Sequence, residues 1–88
     1  MNGPARERAR EEAREHLGPF GRNVRRLRRE RDLTQDQLAD RARLDPRVIR
    51  FVESGNRDVG LSTVWMLASG LGVEVGELFP PKATRRSK

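Results

Sequence analysis

Arg47 and Arg50 stand three residues apart, so on a helix they share one face. A guanidinium holds its N–H donors in a planar fork. That fork matches O6 and N7 of guanine in a bidentate pair, the commonest specific contact to a base edge. One of the two is expected on a base and the other on phosphate, the bland reading being an arginine at the DNA backbone or in solvent. Phe51 lies beside them, either against a thymine methyl or filling a seam between two helices. Arg43, Asn56 and Arg57 can reach phosphate from flanking turns, and Arg22, Arg25 and Arg26 from an earlier helix. Gln35 opens a helix, where backbone N–H groups make an anion site. A solvated arginine face is the alternative reading of the same residues.

Those side chains need a scaffold, and the stretch Leu33 to Gly55 supplies one. Thr34 and Gln37 have the spacing of a capping box. Leu38, Ala39 and Ala42 then fall on one helical face. Asp45 can cap a second helix with Pro46 at its first position, where a missing N–H costs nothing. Ile49 and Val52 continue the inward stripe, and Gly55 ends it. Two helices, about Gln35–Ala42 and Pro46–Ser54, joined through Arg43 and Leu44, form a helix-turn-helix. Before them a helix is expected over Pro19–Arg31, with Phe20, Val24 and Leu27 inward and Asp32 closing it. After them come a helix from Ser62 to Gly70 or Leu71 and a short one over Val75–Leu78. The class is all-α.

Composition narrows the function. The chain has 88 residues and a net charge of +6. It divides into a polar Arg/Glu-rich arm at 1–18, helical or disordered, a helical domain at 19–79, and a basic tail at 80–88 expected to be disordered. Residues 1–16 sum to zero, residues 17–79 to +2 and residues 80–88 to +4. A DNA-facing surface must therefore come from local placement, with the tail adding salt-dependent, non-specific attraction. There is no cysteine, no tyrosine and one histidine, His16. No nucleophile stands with an activating base, no glycine loop cradles phosphate, and Asp36 and Asp40 simply add polarity. We expect no enzyme activity, cofactor or metal. No apolar run suits a membrane, so the expected location is cytoplasmic, at the nucleoid.

Apolar residues late in the chain suggest a contact surface. Trp65 and Met66, with Val75, Leu78 and Phe79, are expected to form a two-fold homodimer patch, a monomer completed by Trp65 being the alternative.

The sequence resembles the lambda-repressor-like, Cro-like helix-turn-helix family, also called the xenobiotic-response-element type. Arg25-x-Leu27-Arg28, Leu33-Thr34-Gln35, Leu38-Ala39, Ile49, Glu53-x-Gly55, Leu61, Leu67-Ala68, Leu71-Gly72-Val73 and Leu78-Phe79 carry the resemblance across Phe20–Phe79. Leu44-Asp45-Pro46 and Glu53 to Val59 look particularly like restriction–modification controller proteins, and also like small regulators and antitoxins. The resemblance implies five compact helices, double-stranded DNA as partner, a homodimer on a pseudo-palindromic site, and transcriptional regulation. It also implies that Gln35 bridges the DNA backbone and the recognition helix. Glu53 is expected to pair with an arginine of the first domain helix. The chain departs from the family at Arg43, where glycine is usual, and at Pro46 and Phe51, where polar residues are usual. These departures keep open a second function: a protein-interaction module or antitoxin with another protein as its main partner.

Overall fold

The computed structural model describes residues 3–81. Five α-helices and one 3₁₀ turn follow in order: α1 Pro4–Arg14, α2 Leu17–Glu30, α3 Gln35–Ala42, α4 Pro46–Ser54, α5 Leu61–Leu71, then Val75–Leu78. The basic tail expected at the C-terminus lies outside the described residues from Lys82 onward.

The arm forms a helix. Pro4 starts α1 and strong helix formers continue it, but no residue of α1 is buried. The next helix begins at Leu17, two residues earlier than Pro19 suggested. Proline is tolerated in a first turn because the N–H groups there have no intrahelical acceptor. Gly18 packs on the end of α4: a Cβ at Gly55 would lie 2.8 Å from Gly18 Cα. Leu17 and Gly18 therefore belong with the folded unit rather than the arm.

Local chemistry sets most of the ends. At α3, Gln37 N–H donates to Thr34 Oγ1 at 3.0 Å and Thr34 N–H donates to Gln37 Oε1 at 2.8 Å, a complete capping box. Asp45 caps α4 by accepting from Arg47 N–H at 2.8 Å. Gly55 and Gly72 end α4 and α5 at φ 73°, in the left-handed region.

Two helices close through a left-handed residue other than glycine. Asp32 and Arg43 take φ 55° and 59°. Each permits a six-to-one closing bond: Leu33 N–H to Arg28 carbonyl at 3.2 Å, and Leu44 N–H to Ala39 carbonyl at 2.9 Å. Leu44 then packs against the core. An arginine in this region costs about 1 kcal/mol. Arg43→Gly is therefore expected to raise stability by about 0.5–1 kcal/mol, read as a small upward shift of the urea midpoint with an unchanged slope.

The core gathers Phe20, Val24 and Leu27 of α2, Leu38 and Ala39 of α3, Ile49 and Val52 of α4, and Val64, Leu67, Ala68 and Leu71 of α5. Leu78 of the 3₁₀ turn is fully buried among them. Burying each large aliphatic side chain contributes about 1.5–3 kcal/mol. Helices approach closely at two glycines. A Cβ on Gly21 would come 2.0 Å from the Val52 carbonyl oxygen, so α2 and α4 touch backbone to backbone. A Cβ on Gly70 would come 2.8 Å from Ala42 Cβ, which brings α5 onto α3. Gly70 weakens α5 as an isolated helix, but the crossing requires it.

Side chains tie the remaining carbonyls. Buried Asn23 donates from Nδ2 to the Glu77 and Leu78 carbonyls at 2.9 and 2.8 Å, pinning the 3₁₀ turn to α2. Arg31 donates from Nε to Leu71 carbonyl at 2.8 Å, closing the end of α5.

Candidate nucleic-acid interface

A buried ionic cluster ties the helix before the helix-turn-helix to both of its helices. Arg28 Nε and Nη2 donate to Glu53 Oε2 and Oε1 at 2.6 and 2.9 Å, a fork-to-fork pair. Gln35 Nε2 donates to the same Oε1 at 3.1 Å, and Arg28 Nη1 to Leu33 carbonyl at 2.7 Å. The two charged side chains are 10% and 4% exposed. The hydrogen bonds that Glu53 accepts raise the pKa of the Arg28 guanidinium above its ordinary value, against the opposing effect of burial. This cluster fixes α2, the start of α3 and the end of α4 relative to one another. Glu53 thus faces inward onto an arginine of the first domain helix, and its carboxylate does not oppose phosphate.

With α4 held by Ile49, Val52 and Glu53, its other face is outward. Arg47 and Arg50 are both exposed there. Arg47 donates from Nε to Asp45 Oδ1 at 3.1 Å and from Nη2 to Asp45 Oδ2 at 2.9 Å. Those bonds hold the Asp45 carboxyl down at about 2, and the charge of Arg50 adds to the effect. Phe51 is half-buried, and the Arg57 guanidinium lies 4.3 Å above its ring centroid. Such a stack contributes about 0.5–1 kcal/mol at an exposed site. It brings the loop after α4 back onto α4 itself, a pairing that nothing in the residue spacing signalled.

The other basic candidates separate into groups. Arg43 is exposed in the turn and Asn56 in the loop, where its N–H donates to Ser54 Oγ at 3.3 Å. Arg22, Arg25, Arg26 and Arg29 line a shallow groove on α2 with Glu30. Arg25 precedes Arg28 by three residues and so shares the side of α2 that meets α4. Arg26 is turned elsewhere: it donates to Asn23 Oδ1 at 2.7 Å and to Glu30 Oε2 at 2.7 Å, on the side that holds the 3₁₀ turn. Its side chain stays 52% exposed while it makes these contacts. The Gln35 side-chain amide donates to Glu53, while its backbone N–H stands in the first turn of α3, where no intrahelical acceptor exists.

The expected dimer patch is altered in one place. Trp65 and Phe79 are 56% and 50% exposed, and Met66 and Val75 are half-buried. Leu78 has no exposure and belongs to the core, because Asn23 draws the 3₁₀ turn against α2. Leu61, one helical turn before Trp65 and outside the expected set, is 71% exposed. The Phe79 ring also meets Phe20 at 5.0 Å between centroids.

Among the described residues no cluster of three acidic, histidine or cysteine side chains suits a metal ion, and no helix is long and apolar enough to cross a membrane.

Five helices, a capped helix-turn-helix and an outward arginine face define a lambda-repressor-like domain. A profile of the helix-turn-helix family matches residues 24–78, and the chain belongs to that family. The family comprises DNA-binding proteins of transcriptional regulation. The chain is 36% identical over 61 residues to the control protein C.MunI of Mycoplasma, spanning 68% of this chain and 82% of that protein. It is 38% identical over 61 residues to y4dJ, an HTH-type transcriptional regulator of Sinorhizobium fredii, spanning 69% of this chain and 79% of that protein. Among solved structures it is similar to the restriction-modification controller protein C.AhdI of Aeromonas hydrophila, with a TM-score of 0.70 and 40% identity over 72% of this chain and 96% of that one. These relatives are regulators rather than enzymes.

Proposed function

We propose that this protein is a sequence-specific regulator that binds double-stranded DNA as a homodimer on a pseudo-palindromic operator, in the manner its resemblance to controller proteins suggests. One observation carries the reading: Arg47 and Arg50 project from an α4 whose opposite face is locked by Ile49, Val52 and the Arg28–Glu53 pair. The N-terminal part of α4 enters the major groove, where one of the two arginines reads guanine, the other meets phosphate, and Phe51 lies against the neighbouring bases. Arg43, Asn56, Arg57, Arg22, Arg25, Arg26 and the first N–H groups of α3 hold phosphates on either side. Leu61, Trp65, Met66, Val75 and Phe79 form the two-fold contact, which sets two copies of α4 about 34 Å apart.

The test is selection from random duplexes at about physiological salt, followed by titration of wild type and the Arg47→Ala/Arg50→Ala variant. Wild type is expected to enrich a two-fold symmetric site. The double variant is expected to lose about 1–3 kcal/mol of discrimination for each bidentate contact removed. Weak binding to every duplex alike, collapsing as salt rises, would instead point to a protein partner docking at the Trp65 patch.

A further inference from the structure

We infer that Asp45 is a positioning residue for base readout: it grips one edge of the Arg47 guanidinium and so presents the opposite edge to a guanine. The inference rests on the proposed role of α4 and names a device within it. Asp45 is fixed before it touches the arginine side chain. Its Oδ1 accepts the capping bond from Arg47 N–H at 2.8 Å, which anchors the carboxylate to the first turn of α4. The same Oδ1 accepts from Nε at 3.1 Å, and Oδ2 accepts from Nη2 at 2.9 Å. A guanidinium has five N–H groups in one plane. The carboxylate takes the Nε hydrogen and one Nη2 hydrogen. The second Nη2 hydrogen and the two on Nη1 remain, and one from each nitrogen forms the outer edge that can span O6 and N7 of a guanine.

An exposed ion pair adds little to folding stability, and Asp45 and Arg47 side chains are 47% and 71% exposed. The significance of the pair lies in order and charge. An arginine already held in its bound geometry loses less rotamer freedom on binding. Paired with a carboxylate, Arg47 also carries little net charge toward a phosphate, which favours the base edge over the backbone. The carboxyl stays ionised throughout the range in which duplex DNA is handled, since it titrates only near 2.

Asp45→Asn separates this role from helix capping. Asparagine caps about as well as aspartate, but it places an amide where Oδ2 accepted from Nη2. The base pair assigned to Arg47 is the one whose preference Arg47→Ala abolishes on the selected site. Wild type, Asp45→Asn and Arg47→Ala are titrated on that site, on its three substitutions at that pair, and on a scrambled duplex. Wild type is expected to prefer its base pair about tenfold. In Asp45→Asn that preference is expected to fall to about threefold or less. Binding to the scrambled duplex should rise, because a negative charge has gone, while the melting temperature stays unchanged. An undiminished preference in Asp45→Asn would overturn the inference and leave Asp45 as a cap alone, even if scrambled binding rose. Arg47→Ala that leaves every preference intact would overturn it too. If wild type selects no site at all, the failure lies with the proposed function itself.

Discussion

Glu53→Ala is expected to destabilise the protein by about 3–5 kcal/mol, the largest loss available from a single polar substitution here. The carboxylate serves three donors at once, two from Arg28 and one from Gln35. Removing it strands a guanidinium whose side chain is 10% exposed. The cost arises less from the lost attraction than from a buried charge with no counter-ion. For a domain of this size, 1 kcal/mol moves the melting temperature by roughly 4–8 °C, so a fall of about 15 °C or more is expected by calorimetry. The reverse experiment sharpens the point. Replacing Arg28 and Glu53 together by methionine and leucine removes both charges, and stability should largely return. DNA binding by the double variant should stay impaired, because Gln35 and the end of α4 lose their common anchor. A Glu53→Ala protein that melts within a few degrees of wild type would show that water reaches Arg28 and that the cluster is not what holds α2 to α4.

Gly21→Ala sets two effects of opposite sign against each other. Alanine is favoured over glycine within a helix by about 1 kcal/mol. At this position, however, the new Cβ would meet the Val52 carbonyl oxygen at 2.0 Å and the Glu53 carbonyl carbon at 3.2 Å. Both neighbours are backbone, so no side chain can swing aside, and α2 must move off α4. Overpacking of this kind costs about 1–3 kcal/mol and more where backbone must shift. We therefore expect a net loss of about 2 kcal/mol or more in denaturant titration. Gly76→Ala is the matched control, since nothing lies within 4 Å of a Cβ there. A neutral or stabilising Gly21→Ala would mean that the two helices are not in backbone contact. The same displacement would move Val52 and Glu53, and with them the arginine face of α4, so weakened DNA binding should accompany the lost stability.

The elements were readable wherever their causes are local. Thr34 with Gln37, Asp45 with Pro46, and Gly55 each act within about one helical turn, and the helices they bound appear as their spacing predicts. The apolar stripes of α2, α3 and α4 were equally legible, because a 3.6-residue period needs only neighbours to be recognised. The inward turn of Glu53 was expected from a charge argument: a carboxylate on a phosphate-facing surface is repelled.

The surface was less legible, because arginine is the same residue whether it is structural or outward. Of the arginines on α2 and just after it, Arg28 and Arg31 serve partners 25 and 40 residues away in the chain, and Arg26 is turned toward Asn23. Only the packing of α2 between α4 and the 3₁₀ turn separates these from Arg22 and Arg25. Leu78 is similar. Its position in a short, late segment suggested a surface contact, yet Asn23, 55 residues earlier, pulls that segment inward. Sequence alone thus determined the helices, their caps and the order in which they follow. Tertiary structure decided which charged side chains are occupied, which glycines are contact points and which apolar residues remain outside. Those outcomes depend on atoms brought together across the whole chain, beyond the reach of any local pattern.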